Sequence, residues 1–288
     1  MILHAAQAAS IVICLLLVGI TLPREGRAET GAQLLAEQAA LEESQAAIGR
    51  TLSNHPLVGS DGENLQLHQF RGKPLVISLI YTSCHHVCPT MTKQLSRAVD
   101  IGREALGQDS FSVLTIGFDT PSDTPDRMHA FARERGIDTP GWWFASTDSL
   151  TIKRLAEELG FTYVPSVRGF DHLTQTTLVG ADGTIVDQVY GELLHSPTFV
   201  EPLKRLVWGA EANANTLSGW VKGVKLVCTV YDPSTGRYTF DYSIFITLII
   251  GVASLGAVAA FVVKHWRETG RNTRQEHSSG ILGRLFRL

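Results

Sequence analysis

Cys84 and Cys88 lie in the run Tyr81-Thr82-Ser83-Cys84-His85-His86-Val87-Cys88-Pro89. Thiolates are soft metal ligands and strong nucleophiles, so this run is where the chain is best equipped for chemistry. The apolar stretch Pro74–Tyr81 precedes it, bounded by Gly72 and Pro74, and reads as a short buried strand. Pro89 fits the first position of a helix, where its missing N–H costs nothing. Both thiols are therefore expected on a strand-to-helix turn, with Cys88 beside the helix N-terminus. The positive end of that helix favours thiolate over thiol. Two thiolates about one helical turn apart either share a soft metal ion or close into a disulfide. A redox pair is usually spaced Cys-x-x-Cys. Here three residues intervene, which still allows a disulfide and also lets two sulfurs approach one ion from opposite sides.

The elements that must hold this turn follow from periodicity and punctuation. Thr30–Gly49 reads as an amphipathic lead-in helix. Leu57–Leu65 reads as a hairpin with a polar, Gly-containing turn. The strand at 74–82 is followed by a helix from Pro89 to about Gly107, then a strand Ser112–Phe118. Asp119-Thr-Pro121-Ser-Asp-Thr-Pro125 opens a helix to about Arg135, and Trp142-Trp143-Phe144 is a short apolar segment read as core. Asp148–Gly160 is a helix with an N-cap Asp and a terminal Gly. Leu173–Val179 and Thr184–Tyr190 are late strands around the turn Ala181-Asp182-Gly183, and a helix from Pro197 to about Trp208 closes the domain. Alternating β and α elements imply an α/β sheet with helices on both faces. The closing hairpin makes it mixed. A Cys turn after the first buried strand and an antiparallel pair near the end describe a thioredoxin-like fold, with chemistry at the carboxyl end of a strand.

In such a fold the connection into the penultimate strand packs against the Cys turn. Thioredoxins place a proline there. This chain has none between Pro165 and Pro197 and offers Asp171-His172 instead. An imidazole facing two thiolates makes an S₂N set, which suits Cu(I) and holds Cu(II). His85 and His86 are either extra ligands or exposed loop residues. Asp119, at the same sheet edge as Cys84, is either a partner to the site or a turn residue.

The 288 residues carry a formal net charge of −3, and no basic run is interleaved with aromatics, which argues against nucleic-acid binding. Two apolar segments stand out. Ile11–Leu22 is about a dozen residues, short for a bilayer span, and is followed by Gly26-Arg27-Ala28 as a cleavage site. It reads as an export signal, with an uncleaved N-terminal anchor as the alternative. Cys14 within it is an apolar filler. Ser243–Val263 is uncharged and long enough to span a membrane, and Lys264, Arg267, Arg271, Arg274, Arg284 and Arg287 follow it. The positive-inside rule puts that tail in the cytoplasm and the main domain outside. The expected organisation is a signal or anchor at 1–28 and a lead-in helix at 29–49. A thioredoxin-like domain carrying the two thiols follows at 50–209, then a linker with a small hairpin at 210–242, a span at 243–263 and a basic cytoplasmic tail at 264–288. The expectation is a single-pass, C-terminally anchored protein of the bacterial inner membrane with its main domain in the periplasm or an equivalent space, where disulfides persist.

Tyr81-Thr-Ser-Cys84 through Cys88-Pro89, Gly117-Phe-Asp119-Thr-Pro-Ser-Asp-Thr-Pro125, and Asp171-His172 followed by Gly180-Ala-Asp182-Gly183 occur in this order. Over roughly residues 50–209 the chain resembles the Sco/SenC family, which acts in assembly of cytochrome c oxidase. The resemblance implies a thioredoxin-like fold and copper held by Cys84, Cys88 and His172. It also implies delivery of copper to, or reduction of, the cysteines of the dicopper site in oxidase subunit II. Partners implied are that subunit or its assembly factors, a copper donor protein and the membrane. The chain departs from the family in having His85 where proline is frequent. It also departs in its C-terminal span and in Cys228, which is a buried filler, a ligand or a partner thiol.

Three functions use these residues differently. A copper metallochaperone needs Cys84, Cys88 and His172. A thiol–disulfide oxidoreductase needs only the redox-active pair Cys84 and Cys88. A thiol peroxidase needs one activated cysteine beside a group such as Thr82 or Arg168.

Overall fold

The computed structural model describes residues 25–84, 87–167, 169–191, 196–209 and 216–285. The chain divides into two compact units, Met1–Leu226 and Val227–Leu288.

The first unit is built on the apolar runs seen in the sequence. Strands β3 (Leu75–Ile80) and β4 (Ser112–Gly117) are buried almost throughout, as parallel strands covered on both faces must be. They pair in parallel, and β4 pairs in parallel with β5 (Trp142–Ser146). Helix α2 (Val87–Leu106) makes the first crossover and α3 (Pro125–Glu134) the second. The hairpin of β1 (Pro56–Gly59) and β2 (Asn64–Gln66) adds antiparallel strands beyond β5. Strands β8 (Gln175–Val179) and β9 (Ile185–Tyr190) add an antiparallel pair beside β3. The spatial order is β2-β1-β5-β4-β3-β8-β9. The fold is the mixed, thioredoxin-like sheet expected, with helices on both faces.

Helix α1 (Glu25–Ala46) does more than lead in. Its C-terminal turn buries Ser44 and Ala47, and Ser44 shares a hydrogen bond with the Tyr190 hydroxyl at 2.9 Å. It packs on the end of helix α4 (Ser149–Leu159), which Asp148 caps through the N–H groups of Leu150 and Thr151. Gly160 closes α4 in the left-handed conformation at φ 63. A Cβ at 160 would stand 2.5 Å from the Glu43 carbonyl oxygen and 2.9 Å from the Ala47 Cβ. Helix α5 (Ser196–Lys204) packs against α2, with Phe111 and Phe199 meeting edge to face at 6.4 Å. The expected helix to Trp208 changes to a π-helical turn at Arg205–Gly209.

One element departs from expectation near the site. His172 does not enter the penultimate strand. It ends β7 (Gly169–His172), which forms a separate two-stranded sheet with β6 (Tyr163–Ser166). The cause is packing. Tyr163 and Phe170 turn their rings onto Phe118, at 4.9 and 5.3 Å between centroids, which fixes the register Tyr163↔His172.

The second stretch of interest also departs from the expected linker. Helix α6 (Leu217–Cys228) takes up the part of the linker before the hairpin, and β10 (Thr229–Asp232) and β11 (Arg237–Phe240) form the hairpin itself. Helix α7 (Ser243–Leu285) follows, and its segment Ser243–Arg267 is long and apolar enough to cross a membrane. None of that apolar window is buried by the chain, so it is not a core helix of this fold. The expected export signal, Cys14, and the loop residues His85, His86 and Arg168 lie outside the described residues.

The packing at Gly160 gives a direct test of how α1 belongs to the domain. Gly160→Ala is expected to lose at least about 1 kcal/mol from the left-handed backbone alone. The contact with the Glu43 carbonyl adds to this. Urea unfolding of the wild type and the variant measures the difference.

Candidate metal centre

The site is built at the carboxyl end of β3. The strand ends at Ile80, and the Ile80 carbonyl accepts from the Phe118 N–H at 2.9 Å, which keeps the β3 and β4 exits side by side. Beyond it Tyr81 is buried, and the chain turns so that the Cys84 N–H donates to the Tyr81 carbonyl at 3.2 Å. Helix α2 starts two residues before Pro89, so Cys88 sits inside its first turn. The Cys88 N–H donates to the Cys84 Sγ at 3.3 Å. The free N–H groups of the helix start therefore act on Cys84, the thiol outside the helix. Thr92 donates its hydroxyl to the Cys88 carbonyl at 2.8 Å and steadies the same turn.

Both cysteines are buried and unpaired as disulfide. For Cys88 this reverses the expected thiolate. Burial pushes its thiol up to about 12, and a backbone hydrogen bond from Tyr81 offsets only part of that. Desolvation outweighs the helix dipole. The Tyr81 hydroxyl is pushed up to about 12 as well, by burial and then by its hydrogen bond with Cys84.

Asp123 is the carboxylate that sequence reasoning passed over in favour of Asp119. Its Oδ1 accepts the Thr82 N–H at 2.8 Å and the Thr82 hydroxyl at 2.7 Å, and its Oδ2 accepts the Asp119 N–H at 2.8 Å. It is almost wholly buried. Burial raises its pKa, and these three donors pull it back. Gly117 makes room for it, since a Cβ there would stand 2.4 Å from the Asp123 Cβ. Asp119 contributes backbone groups to this knot. Thr82 is thereby committed to Asp123.

Arg135, where α3 ends, is the second residue missed. Its guanidinium carbon lies 3.3 Å from the centroid of the Phe131 ring, and its Nη1 donates to the Phe131 carbonyl at 2.8 Å. Its Nε is buried and has no hydrogen-bond partner among the described residues. Burial lowers its pKa, while Glu134 and then negative charge on Cys88 and Cys84 favour its cation. A positive group thus stands within electrostatic reach of both sulfurs. The sequence signal was present, a helix ending at Arg135, but nothing in it tied that end to the thiols.

His172 lies across Tyr81 from Cys84. Its ring meets those of Tyr81, Phe118 and Phe161 at 6.0, 5.5 and 5.4 Å between centroids. Its Nδ1 is 3.1 Å from the Leu173 carbonyl oxygen. A carbonyl only accepts, so Nδ1 carries the proton and Nε2 keeps the lone pair that a metal needs. Gly169 lets the hairpin approach, with φ 119 and a Cβ position only 2.8 Å from the Tyr81 hydroxyl oxygen. The structure thus brings Cys84 and Cys88 into direct contact and places His172 one aromatic ring away. In this conformation no three His, Cys, Asp or Glu side chains among the described residues stand close enough to hold a metal. Cys228 is buried at the end of α6.

A mixed α/β sheet with two buried thiols on a strand-to-helix turn, and an imidazole on a neighbouring hairpin, defines a thioredoxin-like dithiol protein. The SCO1/SenC family model matches residues 43–207, and the chain belongs to that family. The SCO1 protein homolog of Bacillus subtilis (strain 168) is 24% identical over 136 residues, which is 46% of this chain and 69% of the relative. A putative electron transfer protein from Aquifex aeolicus VF5 is 31% identical, with a TM-score of 0.52, over 56% of this chain and 95% of that one. The ScoI of Bradyrhizobium japonicum, solved with copper bound, is 25% identical over 55% of this chain and 99% of its own, with a TM-score of 0.45.

Burial of His172 disfavours its imidazolium and lowers its pKa below the ordinary value. The unfolded chain then binds the proton more readily. This contribution to stability is fully present above about 6.5 and is lost as pH falls through the lower folded value. The reduced protein prepared without metal is expected to lose stability as pH falls below about 6.5, with a slope from this group of at most about 1.4 kcal/mol per pH unit. His172→Phe keeps a ring in the aromatic cluster and removes the titration. Urea unfolding at several pH values should show a flatter profile for the variant, and an unchanged slope would contradict the assignment.

Proposed function

We propose that this protein is a membrane-anchored copper metallochaperone that takes copper on Cys84, Cys88 and His172 and serves assembly of the dicopper centre of cytochrome c oxidase. Family membership supports the biological setting. The single observation that carries the chemistry is the contact between the Cys84 sulfur and the Cys88 N–H, with the second thiol in the same helical turn. Two sulfurs and a neutral imidazole nitrogen form a donor set suited to Cu(I) and able to hold Cu(II). Arg135 supplies positive charge beside a site whose two thiolates outweigh one Cu(I). The aromatic cluster keeps His172 neutral. Holding copper on all three residues would bring the β6–β7 hairpin and the Cys turn together past Tyr81, whose ring meets that of His172.

Copper entering the site must displace the Cys88 proton, which burial holds firmly. Binding therefore releases protons and strengthens with pH across the neutral range. Oxidation competes with loading. A disulfide forms as both thiols lose their protons and a client disulfide or other two-electron acceptor takes the electrons. The sulfurs are then no longer thiolate ligands.

A thiol–disulfide oxidoreductase is the second reading. The same two buried thiols favour it, and it has no need of His172. Copper titration of the reduced protein separates the two. One copper per chain is expected, with tight binding lost in Cys84→Ala or Cys88→Ala. Binding should weaken by about tenfold or more in His172→Ala, more for Cu(II) than for Cu(I). Unchanged binding of both oxidation states in His172→Ala would remove it from the ligand set and favour the oxidoreductase.

The apolar window Ser243–Arg267 is the anchor in this reading, with the main domain in the periplasm and the basic tail in the cytoplasm. Tyr242 immediately precedes the window and Trp266 lies at its far end, both exposed, where membrane-spanning helices carry aromatic residues. Protease added to intact spheroplasts is expected to digest the copper domain and spare a C-terminal tag. Loss of the tag with survival of the domain would invert the topology.

A further inference from the structure

Helix α6 wears its apolar side outward. At 100° per residue, Leu217, Trp220, Val221, Val224 and Val227 share one stripe. Leu217, Trp220, Val221 and Val227 are 81%, 57%, 41% and 65% exposed. Gly219, on the opposite side, is buried. Leu226 shares the side of Gly219, and Cys228, at the end of the stripe, is buried, so the outward apolar face is formed by Leu217, Trp220, Val221 and Val227.

Where α6 ends tells what covers that stripe. The Asp241 N–H donates to the carbonyl of Cys228, the last residue of α6, at 2.7 Å. The Asp241 carboxylate in turn accepts the N–H of Ser243, the first residue of the apolar helix, at 2.8 Å. One residue therefore joins the end of α6 to the start of the proposed span. Trp is the side chain most at home at the boundary of water and lipid. Lys225, exposed beside the stripe, suits the phosphates of anionic headgroups.

We propose that α6 is an interfacial helix that lays Leu217, Trp220, Val221 and Val227 into the bilayer surface, giving the protein a second point of membrane attachment. The inference rests on the reading of Ser243–Arg267 as a span. It commits to lipid as the occupant of the stripe, in preference to a second copy or a client protein.

The test uses the full chain in vesicles of phosphatidylcholine and phosphatidylglycerol, with plain or brominated acyl chains. The chain has five tryptophans. The emission of two of them is isolated as the difference between wild type and Trp220→Phe, and between wild type and Trp266→Phe. Trp220 emission is expected to fall about twofold or more in brominated vesicles and to resist aqueous iodide. Quenching by iodide without quenching by bromine would leave the stripe in water and overturn the proposal. Resistance to both would show that protein covers it, and would overturn it equally. Trp266 is the control for the span. Bromine quenching of Trp266 without quenching of Trp220 sinks this inference alone, whereas no quenching of either sinks the anchor reading and this inference with it.

Discussion

The buried carboxylate of Asp123 is the constraint on which the site depends. It joins the residue that begins the Cys turn to the loop that follows β4, through the Thr82 N–H, the Thr82 hydroxyl and the Asp119 N–H. These are charge-assisted hydrogen bonds in a dry setting, worth roughly twice a neutral one. The same burial makes the arrangement costly, because a carboxylate is being held away from water. Three donors offset that cost only while all three are aimed, so the turn has one conformation near Thr82. Only Ser83 separates Thr82 from Cys84, whose sulfur accepts the Cys88 N–H at the start of α2.

Two opposed effects then decide the state of the thiols. A helix start favours negative charge nearby. Burial disfavours any charge that lacks a partner. At Cys88 burial wins, since the thiol lies within the first turn, where the helix N–H groups do not face it, and its surroundings are closed to water. At Cys84 the helix supplies a donor directly. The two cysteines are therefore unlike, although the sequence presents them as a pair. Negative charge on the sulfurs favours the Arg135 cation, after the larger effects of burial and of Glu134.

How far the residues announced this can be judged one by one. The strand before Cys84 was legible because a strand buried on both faces must be apolar throughout. The fold was legible from the order of such strands and the glycines and prolines between them. His172 was legible as a residue and not as a position. Tyr163-Val164-Pro165-Ser166 has neither strand alternation nor a turn signature, so the β6–β7 hairpin exists only because its rings find Phe118 and Tyr81. Such long-range aromatic packing leaves no local trace. Asp123 was hidden for a different reason. In a run of Asp, Thr, Ser and Pro every carboxylate reads as turn chemistry, and only the space left by Gly117 shows which one goes inward. The start of α2 was misplaced at Pro89 because proline at N1 is a frequent arrangement but not an obligatory one. Helix α6 was read as linker and hairpin since Gly219 and Gly223 lower its helix propensity.

The position of Tyr81 connects these points. It follows the most buried strand, so its backbone is fixed. Its side chain has a hydrogen bond with Cys84, and its ring meets His172. Tyr81 thus stands between the thiol turn and the hairpin that carries His172. That hairpin pairs with no strand of the main sheet, so its place is set by its aromatic contacts rather than by the strand ladder. The two thiols and the imidazole thus rest on different supports, the thiols on a turn tied to the main sheet through Asp123 and the imidazole on a hairpin tied by its rings.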